Sequence, residues 1–242
     1  MQIVLQFTRA ADLRSIRDHL VVRFGKIRVE ERPDPVSQFV GSFLGSRTYD
    51  RISLAAFVRL IRHCRNWDVI ADALEADIEN LIWDVTHPGK KAVELKGALR
   101  NIRACAGAIN LDFLADWDVE QVLQWLERIH GVGRKTAAAA LNFSSLRERV
   151  FVVDTHVLRV LQRFGFVGEN ASSERAYDAV MAAADDFDAA GLFELHWLLK
   201  KLGQQTRSRA RMLCVSCPLS DICPRRAEDG ARMVVRDSVS AA

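Results

Sequence analysis

No apolar run in the sequence approaches the roughly 18 residues needed to cross a bilayer, so a membrane-spanning helix is not its organising element. Charge of one sign is also scarce. Against 34 basic side chains stand 31 acidic ones, leaving a formal charge of +3, too mild to imply a polyanionic partner by itself. Five cysteines in 242 residues do not make a disulfide-stapled scaffold, and 49% apolar with 27% charged residues is ordinary globular composition rather than that of a disordered chain. Internal repeats and low-complexity segments are absent. Met1 to Thr8 carries no basic leader and no small-residue cleavage site, so a secretory signal is not expected. The expected location is cytoplasmic, and the cysteines then read as ligands or core thiols.

What the sequence has in abundance is helical periodicity, so the expected architecture is all-α. Apolar residues fall at helical spacing near Asp12 to Arg23, Val36 to Leu44, Leu54 to Ile61 (capped by Asp50 or Ser53), Ile70 to Trp83, Gly89 to Ala106, Val119 to Arg128, Arg134 to Phe143, Thr155 to Phe164, Ser173 to Ala183 and Gly191 to Leu202. Strand is expected only at Met1 to Phe7 and Val150 to Val153. The breaker segment Glu31-Arg-Pro33-Asp-Pro35 and the polar stretch Asn142 to Arg149 mark domain junctions. The alanine run Ala137 to Ala140 suits a closely packed helix. Charge is unevenly spread: Lys200, Lys201, Arg207, Arg209 and Arg211 form a basic run, and Glu169 to Glu194 is dominated by acids. The ordinary reading of either run is a solvated face.

Two segments carry chemistry. Ile129-His130-Gly131-Val132-Gly133-Arg134-Lys135-Thr136 reads as a helix end, a glycine hairpin and a second helix start. Glycines there let main-chain amides approach a partner, and amides at a helix start bind a phosphate. A lysine in that first turn lies near positive helix-end charge, which favours its neutral, nucleophilic form. Taken alone, a Gly-x-Gly pair is most often a simple turn, and Lys135 a solvated or phosphate-contacting lysine. The second segment, Val153-Asp154-Thr155-His156, puts a carboxylate at the mouth of another helix, where capping and catalysis are compatible. An amine and an acid beside a phosphate grip suit the removal of a base from DNA.

The Gly131-Val132-Gly133-Arg134-Lys135-Thr136 and Val153-Asp154-Thr155-His156 segments resemble the helix-hairpin-helix (HhH-GPD) DNA glycosylase superfamily, and endonuclease III most of all. The resemblance runs from about Val36 to Pro224, through His196-Trp197-Leu198 and the cysteines Cys214, Cys217 and Cys223. It implies a two-domain, all-α fold: Val36 to Phe143 as the hairpin domain, Met1 to Pro35 with Ser144 to Arg226 as the second, Ala227 to Ala242 as a loose tail, and Lys135 with Asp154 in the cleft between the domains. It implies a monomer acting on double-stranded DNA in base excision repair. Lys135 would attack the sugar carbon of a flipped-out damaged base as a glycosylase and AP lyase, with Asp154 as its carboxylate partner. Gly131, Val132, Gly133, Arg134, Thr136, Arg47, His130, Arg209 and Arg211 would contact DNA. Adenine-specific relatives lack the lysine, and thymine-mismatch relatives often carry tyrosine there.

Departures from the family pattern keep alternatives open. Relatives hold a [4Fe-4S] cluster on four cysteines with six residues between the first two, and here Arg207 stands in the first position. A cluster with an unusual ligand, zinc on Cys214, Cys217 and Cys223, or a relict motif all remain open. Cys64 and Cys105 read as buried thiols, and His196 as a packing or hydrogen-bonding residue. Arg47 occupies the place of a glutamine that fills the gap left by an extruded base, His130 replaces a proline before the hairpin, and Tyr49 reads as a core or stacking residue. The rival functions are a DNA-binding relative without turnover and a monofunctional glycosylase for alkylated or mismatched bases.

Overall fold

The computed structural model describes residues 2–205, 214 and 216–224, with side chains from Arg9 onward. Arg207, Arg209, Arg211 and the segment 227–242 lie outside the described residues. Those described are helical or irregular, with no strand among them. None of their helices is long and apolar enough to cross a membrane.

The chain divides into two compact units, Glu30–Val150 and Met1–Val29 with Phe151–Ala242. In the first, α2 (Pro35–Leu44) starts where the sequence stops resisting it. Pro35 takes the first helical position, where a missing N–H costs nothing, and Asp34 accepts the amide of Ser37 at 2.9 Å. Then follow α3 (Asp50–His63), α4 (Trp67–Asp72), α5 (Glu75–Leu81), α6 (Pro88–Ala106), a 3-10 turn at Asp112–Asp116, α7 (Val119–Glu127) and α8 (Arg134–Asn142). Helices α2 and α8 form the tightest pair of this unit. Ala137 to Ala140 are all buried, and their small side chains let α8 lie close against α2, whose Phe39, Val40 and Phe43 are buried as well.

In the second unit, α1 (Gln2–Phe24) packs on α10 (Ser173–Ala183) and α11 (Ala189–Gln205), and α9 (Thr155–Phe164) lies against α11. Approach of α9 to α11 is close enough to require glycine. A Cβ on Gly203 would stand 2.5 Å from the carbonyl oxygen of His156, a backbone atom that cannot swing away. Gly203→Ala is therefore expected to destabilise the protein by about 1–3 kcal/mol through overpacking, read as a fall in the midpoint of chemical denaturation.

Both expected strands give way to other structure. Met1 to Phe7 is not a strand, because α1 already runs from Gln2. No breaker separates Phe7 from the part of α1 that buries Leu13, Ile16 and Leu20, and extending an existing helix needs no new nucleus. Val150 to Val153 belongs to no regular element, and its Val152 carbonyl is met by the ring Nδ1 of His196 at 2.8 Å and not by a neighbouring strand. The Ile70 to Trp83 stretch is two helices, broken at Ala73–Leu74, where both residues are extended. Cys105 is exposed, unlike Cys64: it lies in the last turn of α6, beyond Ile102, where the buried stripe of Ala92, Leu95, Ala98, Leu99 and Ile102 ends. Glu194 leaves the acidic run: it is buried, bonded to Arg17 Nε at 2.7 Å and to the Ile27 amide at 3.1 Å.

Candidate functional site

The hairpin lies between α7 and α8. Asp118 starts α7 by accepting the amides of Glu120 and Gln121, at 2.9 and 3.3 Å. The turn then closes through Val132 N–H to the Ile129 carbonyl at 3.0 Å, and Gly133 caps α8. The two glycines do different work. Gly131 has φ +82°, a left-handed backbone that strains a residue with a side chain, and a Cβ there would also press on the Glu94 carboxylate at 2.8 Å. Gly133 is extended at φ −112°, a backbone any residue adopts, and nothing lies within 4 Å of where its Cβ would be. What its missing side chain leaves is open surface in front of the first amides of α8, which have no intrahelical acceptor.

Val132 is buried and serves as the hairpin's core, and Thr136 is buried too, its amide on the Gly133 carbonyl at 2.9 Å. Arg134 bonds the Glu127 carboxylate through Nε and reaches Glu120 at 3.5 Å, which pins α8 to α7. His130 is 87% exposed, with Nε2 3.2 Å from Glu94 Oε1. Lys135 sits in the first turn of α8, and its Nζ donates to the Ser42 carbonyl of α2 at 3.1 Å.

That carbonyl belongs to the last turn of α2, whose end leads into Gly45-Ser46-Arg47-Thr48-Tyr49. Arg47 is exposed and held at φ +56°, a left-handed backbone costly for a residue with a side chain. Two bonds from Thr86 hold it there: Oγ1 donates to the Arg47 carbonyl at 2.8 Å, and the amide donates to Thr48 Oγ1 at 3.1 Å. Tyr49 is 64% exposed and so not a core residue; it caps α3 with its backbone.

In the other unit, Asp154 is the N-cap of α9 and accepts the amides of His156 and Val157, each at 2.8 Å. Its remaining oxygen lies 3.9 Å from Lys200 Nζ, which also stands 4.8 Å over the Trp197 ring. Burial pushes the Asp154 carboxyl up, but His196, the Val157 amide, Lys200 and His156 together outweigh it, and the group ends below its usual 3.8. It is an anion at any physiological pH. His196 is buried and bonds the Val152 carbonyl, the packing role its helix context suggests.

Cys214 is exposed, and Cys217 and Cys223 are half-buried. The Cys217 thiol is pushed up, first by burial and further by Cys223 and Cys214, against the Leu219 amide and Arg163. A guanidinium at position 207 has no lone pair to offer in a cysteine's place. Among the described residues no group of three or more His, Cys, Asp or Glu converges to hold a metal ion. The residues present do not fit a four-cysteine cluster.

One site residue escaped the sequence reading. Lys91 lies on the buried stripe of α6, and its Nζ donates to the Leu44 carbonyl at 2.7 Å, the Ser46 carbonyl at 2.7 Å and Thr48 Oγ1 at 3.1 Å. Its signal is a lysine four residues before Leu95, where an apolar side chain belongs. Burial, then the charge of Lys135, push it down to about 8, with Glu94 opposing.

Fold and hairpin define a two-unit, all-α helix-hairpin-helix protein. The sequence matches the family described as HhH-GPD superfamily base excision DNA repair protein over residues 40–185. An endonuclease III of Sulfolobus acidocaldarius is 30% identical over 186 residues, 76% of this chain and 79% of that protein. An endonuclease III-like protein 1 of Gallus gallus is 27% identical over 225 residues, 90% of this chain and 76% of the relative. A solved structure of a trapped covalent intermediate between endonuclease III and DNA superimposes with a TM-score of 0.73 at 20% identity, over 91% of this chain and 98% of that one. The chain belongs to the HhH-GPD superfamily of base excision DNA repair proteins, as an endonuclease III-like member.

Proposed function

We infer that the protein binds duplex DNA as a monomer and is a bifunctional glycosylase and AP lyase for oxidised or otherwise damaged bases. The observation that carries the reading is Lys135 in the first turn of α8, directly behind the Gly131 hairpin, with its amine tethered to Ser42. In this reading the Lys135 lone pair attacks C1′ of the damaged nucleotide, the N-glycosidic bond breaks, and the base leaves with its electron pair and takes up a proton. The amine loses its protons, the sugar ring opens, and a C1′ imine with Lys135 remains. Loss of a C2′ proton then expels the 3′ phosphate by β-elimination. Asp154, fixed as an anion by its two amide bonds, stabilises positive charge on the sugar during departure of the base.

The open surface before Gly133 and the first amides of α8 suit a phosphate, and the hairpin residues His130 to Thr136 would set that approach. Extruding a base costs a few kcal/mol. Arg47, exposed on a turn that Thr86 and Lys91 hold in a strained conformation, is the side chain proposed to fill the gap. The basic residues Arg209 and Arg211 are proposed to add phosphate contacts.

The test is incubation of the full chain with a panel of damaged-base duplexes under borohydride. A cross-linked product and strand scission without alkali are expected on at least one oxidised base. Scission only after alkali would mean a monofunctional glycosylase, and binding with no base release on any lesion would mean an inactive relative; either result overturns the bifunctional reading.

A further inference from the structure

We propose that Arg47 makes the protein selective for the base opposite the lesion: its guanidinium reads cytosine, so the substrate class is damaged guanine. The proposal rests on Arg47 being the gap-filling side chain.

The turn around Arg47 is anchored through its backbone and leaves the arginine side chain uncommitted. The Ser46 amide donates to the Phe43 carbonyl at 3.1 Å, and the Thr48 amide to the Gly45 carbonyl at 3.4 Å. Lys91 Nζ donates to the Ser46 carbonyl and to Thr48 Oγ1, and Thr86 Oγ1 to the Arg47 carbonyl, so each residue from Ser46 to Thr48 is tied down. The Arg47 side chain, by contrast, is exposed, and its guanidinium makes no hydrogen bond, ion pair or ring contact with a described residue. Other arginines of this unit are engaged: Arg59 donates to the Leu81 carbonyl at 2.7 Å, and Arg103 to Asp72 at 2.7 Å. A left-handed backbone at a residue with a side chain persists only where its surroundings impose it. Here they impose it beneath a guanidinium that bonds nothing among the described residues.

What a guanidinium recognises follows from its donors. It carries N–H groups in a planar fork and no acceptor, so it pairs with two neighbouring acceptors and is opposed by a donor. A base left in the stack without its partner turns its Watson–Crick edge toward the gap. On that edge cytosine alone has two adjacent acceptors, O2 and N3. Guanine presents one acceptor beside two donors, adenine one of each, and thymine two acceptors parted by a donor. The fork therefore fits cytosine and loses a bond or meets a donor with each of the others. Glutamine, whose place Arg47 takes, has a donor and an acceptor at its tip and can adapt to all four. Charge alone would not discriminate, because a cation that met only phosphate would bind every sequence alike. In an intact duplex cytosine faces guanine, so the lesion that leaves cytosine without a partner is a modified guanine.

The experiment measures the affinity of the full chain for four duplexes that differ only in the base opposite a tetrahydrofuran abasic analogue, a readout that needs no turnover. Wild type is expected to bind the duplex with cytosine about tenfold or more tighter than the other three, the scale of one bidentate arginine contact. Arg47→Gln should bind all four alike. Arg47→Lys, which keeps the charge and loses the fork, should do the same. Single-turnover release of an oxidised guanine opposite cytosine should slow in both variants. Equal affinity of wild type for the four duplexes overturns the proposal. So does a cytosine preference that survives in Arg47→Lys. A loss in Arg47→Gln that is uniform across the four and flattens the salt dependence also overturns it, because that pattern marks a phosphate contact. A cytosine preference without release of any base would instead overturn the glycosylase assignment and leave the opposite-base assignment standing.

Discussion

Lys135→Ala is expected to abolish cross-linking to damaged DNA under borohydride and to reduce base release and strand scission to background, a loss of about 10³-fold or more. The expectation follows from one atom. In the proposed reaction only the Lys135 Nζ forms the bond to the sugar, and alanine has nothing to put in its place. Folding should be little affected, because a partly buried hydrogen bond such as that to the Ser42 carbonyl is worth about 1 kcal/mol, and alanine is a strong helix former in the first turn of α8. Affinity for the duplex should survive as well, since the hairpin amides and Arg47 are untouched. Residual trapping in Lys135→Ala would mean that a different amine attacks.

Asp154→Asn is the second large effect, and it separates two roles that one residue fills. Asparagine caps a helix about as well as aspartate, so the bonds to the His156 and Val157 amides persist in kind. What disappears is the charge. Base release is expected to slow by about 10²–10³-fold, the usual consequence of deleting one group that stabilises transition-state charge, with duplex affinity near wild type. An equal fall in affinity and rate would assign Asp154 to binding instead. The charge also leaves a mark on stability. A carboxyl held below its ordinary 3.8 in the folded protein contributes stability that is full above that value and is lost as pH falls through the lower folded value. Wild type and Asp154→Asn should therefore converge in stability in strong acid and diverge toward neutrality, as read by denaturant unfolding across pH.

The features read correctly from sequence are those fixed by neighbours in the chain. Asp154 caps α9, and α9 and α10 begin and end where their periodicity does, because caps, glycine stops and apolar stripes act within one or two turns. Pro33-Asp34-Pro35 sets the start of α2 for the same reason. The errors come from long range. An apolar amino terminus resembles a strand until α1 claims it, and Val150 to Val153 resembles one until His196, 44 residues from Val152, takes the role of a partner strand. Glu194 looks like surface acid but is enclosed by Arg17 and the Ile27 amide, 177 and 167 residues away. Lys91 is the instructive omission in the candidate site. Its three acceptors lie 43 to 47 residues earlier in the chain, so no local pattern announces them beyond a lysine out of place on an apolar stripe.

Peptide mapping of the borohydride-reduced adduct tests the central claim most directly. Wild type is reacted with a damaged-base duplex, digested with protease and nuclease, and the modified lysine is located by tandem mass spectrometry. The nucleotide remnant should be carried by Lys135. A remnant on Lys91, Lys200 or the terminal amine, with Lys135 unmodified, would contradict the account.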